Sequence, residues 1–343
     1  MDAAPPTVSV LMSVYGAERY VEQAIRSVLD QTWRDLEMIV IDDGSTDGSI
    51  AIVERLARED ARIRFSARPN KGIPATANEM VAKARGRYIS LMDHDDVMLP
   101  GCIATEVAYL DAHPNVVVVG IMDDYIDGEG RDIRRRTSLK HKLAAHTHMR
   151  RDLEAFPPHI PFVSNPGSMM RTDAVRRVGG YRPVFKYASD NDLWFRLSEV
   201  GEIHRLHQVH LKYRKHERNT TVLHRETVLM YDVVVILSAA ARHLGLDDTA
   251  LVAGFRGREG YTETVEGYKR LLGERYPVET YLLFHAVRKR IPGAVGETDP
   301  ARVLDRAFRH ALSAPPSIPK LKLLRRALKA RLTGDSRTKP AAA

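Results

Sequence analysis

The sequence has a single cysteine, Cys102, and no apolar run long enough to cross a bilayer. One thiol excludes an intramolecular disulfide and fits a reducing compartment. The longest apolar run, Val233–Ala241, is far short of the roughly 20 residues that a transmembrane helix needs. The N-terminus also lacks the basic-then-apolar pattern of a signal peptide. We therefore expect a cytoplasmic protein without a membrane-spanning helix.

Several motifs of other protein classes are missing as well. A dinucleotide dehydrogenase needs Gly-x-Gly-x-x-Gly after its first strand, where this chain has only "VYGAERY". A sugar nucleotidyltransferase would need a glycine-rich loop with a basic residue there, which is also absent. The net charge of +8 favours anionic partners, but no basic stripe interleaved with aromatic residues supports nucleic acid. We therefore expect an anionic small molecule or membrane surface as partner, and no nucleic acid.

Strands alternate with helices along the first part of the chain. Thr7–Val14 is rich in β-branched residues, and apolar residues at helical spacing follow from Glu18 to Asp30. The same alternation predicts further strands at Glu37–Ile41, Arg62–Ala67 and Arg87–Met92, and helices at Ser49–Ala57, Ala75–Ala84 and Leu99–His113. It implies right-handed crossovers and a mainly parallel sheet covered by helices on both faces. We therefore predict an α/β fold.

The second half of the sequence is less regular. After a predicted strand at Val116–Gly120, the polar stretch Asp123–Arg151 is interpreted as a long loop with some helix, which is typical of a lid or binding loop. A further helix is predicted at "SDNDLWFRL", and alternation around Val209–Tyr213 predicts a strand. From Arg225 onward the pattern is helical, which predicts a helical C-terminal appendage.

Three carboxylates lie within four residues in "MDHDD", Met92–Asp96, directly after a predicted strand. Ligands of parallel α/β sheets bind beyond the carboxyl ends of the strands, and the repulsion between three carboxylates calls for a cation or for hydrogen-bond donors. Mg²⁺ and Mn²⁺ are held by one or two carboxylates together with substrate phosphates. Asp93 and Asp95 are thus candidate metal ligands, and a solvated acidic turn with a helix cap is the alternative.

Three strings carry a family resemblance: "VSVLMSVYGAERYVEQAIRSVLDQTWRDLEMIVIDDGSTD", "RPNKGIPATAN" and "ISLMDHDD". In this order and spacing they closely resemble the family 2 inverting glycosyltransferases of GT-A fold. The resemblance implies a Rossmann-like, mainly parallel sheet flanked by helices. It also implies a nucleotide-sugar-binding half at residues 1–115, an acceptor-binding and catalytic half at 116–222, and the helical appendage at 223–343.

The resemblance also implies roles for individual residues. Those expected to contact the nucleoside are Ser13, Tyr15, Glu18 and Asp42. Asp42 would read the base, because a carboxylate can accept the ring N–H of uracil. Lys71 would lie under the ribose and phosphates, and a plain surface lysine is the alternative. Asp93 would face the ribose or metal, and Asp95 would hold the Mg²⁺ or Mn²⁺ that bridges the diphosphate.

Two later segments resemble the catalytic half of the family. "YASDNDLWFRL" places the general base on Asp190, although Ser189 stands where the family has glutamate. The alternative is that Asp190 and Asp192 stabilise the helix N-terminus through its dipole. "YRKHERNTT" resembles a segment whose histidine can approach the metal or diphosphate, so His216 is a further candidate metal ligand.

The C-terminal tail "KLKLLRRALKARL", residues 320–332, has leucines on one helical face with lysines and arginines around it. Such a helix can lie on an anionic membrane surface, and a solvated helix docked on the domain is the alternative. The resemblance to the family 2 glycosyltransferases implies an inverting, metal-dependent transfer of a sugar from a UDP-sugar to a glycan or glycolipid hydroxyl. TDP and GDP are alternative carriers. A non-catalytic sugar-nucleotide-binding or scaffold protein is the rival interpretation.

Overall fold

The computed structural model describes residues 4–133, 148–149, 163–289 and 299–312, with 319, 320, 322–324 and 327. The remainder of the predicted loop at 123–151 and most of the predicted tail helix at 320–332 lie outside the described residues. The described residues fall into two compact units, one made of those up to Asn219 and the other of those from Thr220 onward.

The first unit contains a ten-stranded mixed sheet. Its strands are β1 (Val8–Val14), β2 (Leu36–Asp42), β3 (Ile63–Ala67), β4 (Tyr88–Leu91), β5 (Val97–Met98), β6 (Val116–Ile126), β7 (Asp132–Ile133), β8 (His148–Met149), β9 (Ser168–Arg171) and β10 (Glu202–Arg214). They are ordered β3-β2-β1-β4-β9-β6-β10-β5, while β7 pairs with β6 and β8 pairs with β10. Strands β1 to β4 are parallel, whereas β9 is antiparallel to both of its neighbours.

The described residues of this unit form six helices: α1 (Val21–Leu29), α2 (Ser49–Glu59), α3 (Ile73–Lys83), α4 (Cys102–Ala112), α5 (Thr172–Arg177) and α6 (Ser189–Leu197). Helix α1 shows why they dock on the sheet. Its apolar residues Val21, Ala24, Ile25 and Val28 recur at helical spacing and are completely buried. All residues of β2 are buried, as expected for a strand covered on both faces. The predicted α/β architecture is thereby confirmed, and Cys102 is buried as a small apolar residue would be.

One sequence-based boundary is wrong. The strand predicted at Val116–Gly120 continues to Ile126, so the predicted loop does not begin at Asp123. Residues 122–126 continue the pairing of β6 with β10, which extends to Ile126 opposite Arg214. Asp123 and Asp124 therefore occupy strand positions at the end of β6, because backbone pairing with β10 outweighs their low strand propensity.

The second unit is helical, in agreement with the predicted C-terminal region. Its helices are α7 (Thr220–Leu223), α8 (Arg225–His243), α9 (Thr249–Gly254), α10 (Tyr261–Leu272), α11 (Val278–Lys289) and α12 (Pro300–Leu312), with a 3₁₀ turn at Gly273–Arg275. Leu283 of α11 and Ala307 of α12 share a buried cluster with Leu323 and Ala327, and Leu324 packs against that cluster. Within the described ranges, no helix is both long enough and apolar enough to cross a membrane.

Candidate active site

The polar residues singled out in the sequence meet at one edge of the sheet. Strands β1, β2 and β4 are parallel, so the residues that follow Val14, Asp42 and Leu91 leave the sheet on the same side. Strands β9, β6 and β10 separate β4 from β5. Residues 92–96 link β4 to β5, and we call them the acidic link. They therefore run along this edge across the ends of those three strands.

Asp93, Asp95 and Asp96 form an acidic cluster in this link. One carboxylate oxygen from each residue lies within 4.8 Å of the others. Asp96 was not among the predicted ligands, yet it is 1% exposed. Its Oδ1 accepts the backbone N–H of Arg214 at 2.7 Å, and its buried Oδ2 has no hydrogen-bond partner in the described part of the chain. Crowded carboxylates with an unsatisfied buried oxygen fit a divalent cation that takes oxygen ligands.

The electrostatics of the cluster agree with this interpretation. Burial, with a contribution from the Asp95 charge, raises the pKa of Asp93 to about 7. Burial likewise raises the pKa of Asp96 well above its usual range, and Asp95 and Asp93 add to the effect. Asn165 partly offsets the shift of Asp93, because its Nδ2 donates to Asp93 Oδ1 at 3.1 Å. A bound cation would favour the ionised forms of all three carboxyls.

Two residues from the end of the first unit contact Asp95. Nε2 of His216 lies 2.9 Å from Asp95 Oδ2, and Asn219 Nδ2 donates to the same oxygen at 3.2 Å. The predicted ligand His216 thus reaches the acidic cluster, with its ring centroid 5.2 Å from that of Tyr20. The contact of Asn219 was not predicted, although this residue lies within the "YRKHERNTT" segment.

Arg214 holds the acidic link in place. Its side chain is 2% exposed, and its Nε donates to the backbone carbonyl of Asp95 at 2.7 Å. The same guanidinium donates to Gln23 Oε1 at 2.7 Å and to the Asp127 carbonyl at 3.2 Å, and it lies 4.6 Å from the centroid of the Tyr20 ring. Arg214 therefore supplies positive charge beneath the cluster and connects its backbone to α1.

Asp42 lies at the carboxyl end of β2 and is completely buried. Its Oδ1 accepts the N–H groups of Gly44 at 3.0 Å and Ser45 at 2.7 Å, which is a side-chain turn typical of Asp. Its Oδ2 is buried and has no hydrogen-bond partner among the described residues, which leaves one acceptor of this carboxylate unused. Tyr15 begins the loop between β1 and α1, residues 15–20, which we call the β1 loop, and it is 59% exposed.

The other predicted nucleoside contacts have structural partners at this edge. Glu18 Oε2 accepts the Gly48 N–H at 3.0 Å, and so connects the β1 loop to the start of α2. The backbone carbonyl of Ser13 lies 3.1 Å from His94 Nδ1, which joins the end of β1 to the acidic link. These contacts bring Ser13 and Glu18 to the edge where Asp42 and Asp93 lie.

Asp43 and Lys71 have different roles in the structure. Asp43 forms an ion pair with Arg68 and accepts the backbone N–H groups of Lys71 at 2.8 Å and Gly72 at 3.0 Å. It therefore fixes the loop between β3 and α3. The side chain of Lys71 is exposed on that loop, and its contact with ribose or phosphate stays a prediction.

Asp190 lies in the first turn of α6. Ala188, the residue directly before the helix, has φ of +54°, the left-handed region that costs an L-residue about 1 kcal/mol or more. Asp190 Oδ1 accepts the Asn191 N–H at 2.9 Å. Burial raises the pKa of Asp190, and its charge in turn raises the pKa of Asp93. Asp190 therefore lies near the acidic cluster, on a strained segment of backbone.

Asp192 is held quite differently from Asp190. It is completely buried between Arg182 and Arg196, and Arg196 Nη2 donates to its Oδ2 at 2.8 Å. Burial alone would raise the pKa of Asp192, but the two arginines keep it below its usual range. Its contacts are those of a structural carboxylate. Trp194 is also fully buried, as expected for a core residue rather than a sugar platform.

Comparison with known proteins identifies glycosyltransferases as similar in sequence. Residues 9–179 match the model of the family described as glycosyl transferase family 2. The chain is 30% identical over 248 residues to a putative glycosyltransferase, EpsE, of Bacillus subtilis, covering 70% of this chain and 84% of that protein. It is 26% identical over 239 residues to a chondroitin synthase of Pasteurella multocida, covering 67% of this chain but 23% of the synthase.

Two solved structures have the same fold. S. aureus TarS 1–349 in complex with UDP-GlcNAc has a TM-score of 0.59 at 17% identity, covering 95% of this chain and 92% of that one. The mannosyltransferase PcManGT from Pyrobaculum calidifontis, in complex with GDP-Man and Mn²⁺, has a TM-score of 0.54 at 16% identity. The match covers 97% of this chain and 88% of that one. At these identities the similarity establishes a shared fold.

Proposed function

Because this chain belongs to glycosyltransferase family 2, we propose that it moves a sugar from a nucleotide diphosphate to an acceptor hydroxyl with inversion at the anomeric carbon. Its fold is the predicted GT-A fold. The observation that carries the proposal is the convergence of Asp93, Asp95 and Asp96 with Asp190 at one sheet edge. This arrangement would bring a cation site and a proton acceptor together.

UDP is the proposed carrier, with GDP and TDP as alternatives. One solved relative in fold was captured with UDP-GlcNAc and another with GDP-Man. The buried, unpartnered Oδ2 of Asp42 supports base recognition through a ring N–H. Ser13, Tyr15 and Glu18 would surround the nucleoside, and Lys71 the ribose and phosphates. A glycan or glycolipid acceptor is proposed because a curated relative is a chondroitin synthase.

The acidic cluster would hold one Mg²⁺ or Mn²⁺ through Asp93, Asp95 and Asp96, and His216 is a further candidate ligand. When bound, the cation supplies Lewis-acid stabilisation of the charge that develops on the leaving diphosphate. The protein contributes the position of these ligands. Arg214 holds the backbone of Asp95, and Asn219 holds the Asp95 carboxylate.

Asp190 is the proposed general base. As the acceptor oxygen forms a bond to the anomeric carbon, its proton passes to the Asp190 carboxylate. The bond between the anomeric carbon and the phosphate oxygen breaks with its electron pair on the nucleoside diphosphate. Burial raises the pKa of Asp190, which makes its carboxylate a stronger base, and a positioned base contributes about 10²- to 10⁴-fold to rate.

A donor panel tests the function. Purified full-length protein is incubated with Mn²⁺ and UDP-, GDP- or TDP-sugars, and mass spectrometry measures nucleoside diphosphate and free sugar. We expect release from the donors of one nucleotide class, with water as a slow acceptor. NMR of the first-formed sugar should show the anomer opposite to the donor's.

Two outcomes would contradict parts of this proposal separately. Absence of release from every donor class, in protein whose melting curve shows a folded state, would contradict transfer itself. Release with the donor's anomeric configuration retained would leave transfer standing and contradict inversion.

A further inference from the structure

Arg218 lies in a turn that is fixed at both ends. The backbone N–H of His216 donates to Asn219 Oδ1 at 2.8 Å, and the Asn219 N–H donates to the His216 carbonyl at 3.2 Å. The side chains of His216 and Asn219 both contact Asp95 Oδ2. The position of Arg218 between them is therefore set by the acidic cluster.

The guanidinium of Arg218 extends over the β1 loop. A Cβ placed on Gly16 would lie 3.4 Å from Arg218 Nη2. Gly16 has φ of +61°, and its N–H donates to Ser45 Oγ at 3.0 Å. Ser45 is in the turn closed by Asp42, so this loop leads to the proposed base-recognition residue. Arg218 therefore lies between the proposed nucleoside contacts and the proposed cation site.

The charge of Arg218 is available to a ligand. Its side chain is exposed, and in the part of the chain that the structure describes it has neither an ion pair nor a hydrogen bond. Asp95, the acid that this turn contacts, is held by His216 and Asn219. Arg214, four residues earlier, is buried and uses its guanidinium on protein acceptors. Arg218 is thus a solvent-facing cation beside the site.

A planar guanidinium can donate two parallel N–H bonds to phosphate oxygens. We propose that Arg218 binds the diphosphate of the nucleotide donor, opposite the acidic cluster, and helps to hold the leaving group. This inference rests on the proposed function. It assigns a role to a residue that the sequence motifs did not single out.

The test is a comparison of ligands that differ only in their phosphates. Calorimetry in Mn²⁺ measures the Kd of UDP, UMP and uridine, or of the matching GDP or TDP series if that nucleotide binds the wild-type protein. We expect Arg218→Ala to weaken diphosphate binding by about ten- to a hundredfold. Binding of the monophosphate should weaken by a smaller factor, and binding of the nucleoside should not change. Arg218→Lys keeps the charge but loses the planar fork, so its Kd should fall between.

Arg58→Ala is the matched control. Arg58 is also exposed and has neither an ion pair nor a hydrogen bond within the described residues. It lies in the last turn of α2, which starts at the site edge and runs away from it. The Kd of the Arg58→Ala variant for the diphosphate should equal that of wild type. Both alanine variants should have the melting temperature of wild type.

Equal diphosphate Kd values for wild type and Arg218→Ala would overturn this inference alone. An equal loss of affinity for the diphosphate and for the nucleoside would also overturn it, because that pattern indicates a disturbed β1 loop rather than a phosphate contact. Absence of diphosphate binding by the wild-type protein would overturn the proposed function and the inference together.

Discussion

His216 Nε2 and Asp95 Oδ2 lie 2.9 Å apart although 121 positions separate the two residues in the chain. Asn219 donates to the same oxygen. The histidine is thus already directed at the acidic cluster by protein contacts alone. A cation entering the cluster would meet ligands whose directions are set, which reduces the ordering cost of binding.

The acidic cluster predicts metal dependence. Excess EDTA should abolish sugar transfer, and Mn²⁺ should restore it. Asp95→Asn should weaken Mn²⁺ binding at least about tenfold, measured by electron paramagnetic resonance of free Mn²⁺ in the presence of UDP. Asp173→Asn, at an exposed position on α5, is the control. Undiminished turnover in EDTA would exclude a metal requirement.

Asp190 and Asp192 should separate catalysis from stability. Asp190→Asn removes the proton acceptor but keeps the shape of the side chain, so we expect transfer to fall at least about a hundredfold with melting within a few degrees of wild type. Asp192→Asn removes the negative charge that is buried between Arg182 and Arg196 and should cost about 3–5 kcal/mol of stability. Steady-state rates and thermal melts measure both. If Asp190→Asn lowers the rate less than tenfold while it lowers stability, Asp190 is a helix cap.

The buried carboxyl of Glu106 should make stability depend on pH. Burial raises the pKa of Glu106 well above its usual range, and its Oε1 has no hydrogen-bond partner within the ranges that the structure describes. Because the folded state binds this proton more tightly than the unfolded state, stability falls as pH rises above the unfolded pKa of about 4.3, by up to about 1.4 kcal/mol per pH unit.

Glu106→Gln removes this titration while keeping the shape of the side chain. The melting temperature of the variant, relative to wild type, should therefore be higher at pH 8 than at pH 5. Thermal melts of both proteins at these two pH values measure the difference in melting temperature. An identical difference at both pH values would show that Glu106 does not titrate between them.

The basic tail predicts peripheral attachment to anionic membrane. Leu323, Leu324 and Ala327 contribute to the cluster between α11 and α12, so truncation would disturb the fold as well as remove charge. Lys322→Glu with Lys329→Glu changes the charge and leaves the leucines. We expect the variant to lose salt-sensitive binding to vesicles containing phosphatidylserine. Equal sedimentation of variant and wild type with these vesicles would favour the docked-helix alternative.

Local patterns were sufficient for much of the fold. The apolar spacing of α1 and the continuous burial of β2 follow from residue type, so these elements could be placed from sequence. The acidic link could also be predicted, because its residues are adjacent in the chain.

The remaining site residues depend on tertiary pairing. Asn165 reaches Asp93 because β9 is antiparallel to β4, which brings the residues before β9 to the edge where β4 ends. Arg214 is buried under the acidic link only because β10 pairs with β5. Neither pairing has a periodicity that a single sequence reveals, so Asn165 and Arg214 could not be assigned. Asp96 could have been assigned, since it lies within the acidic motif.

The pairing of β5 with β10 also sets an order of events during protein synthesis. The ribosome makes the acidic link and β5 long before Leu211, the residue that pairs with Met98. Until Arg214 and His216 emerge, the three carboxylates lack the cationic and imidazole partners that fix their loop. The proposed donor site is therefore completed only after His216 has been synthesised, and a nascent chain interrupted before Arg214 carries the acidic motif without the side chains that hold it.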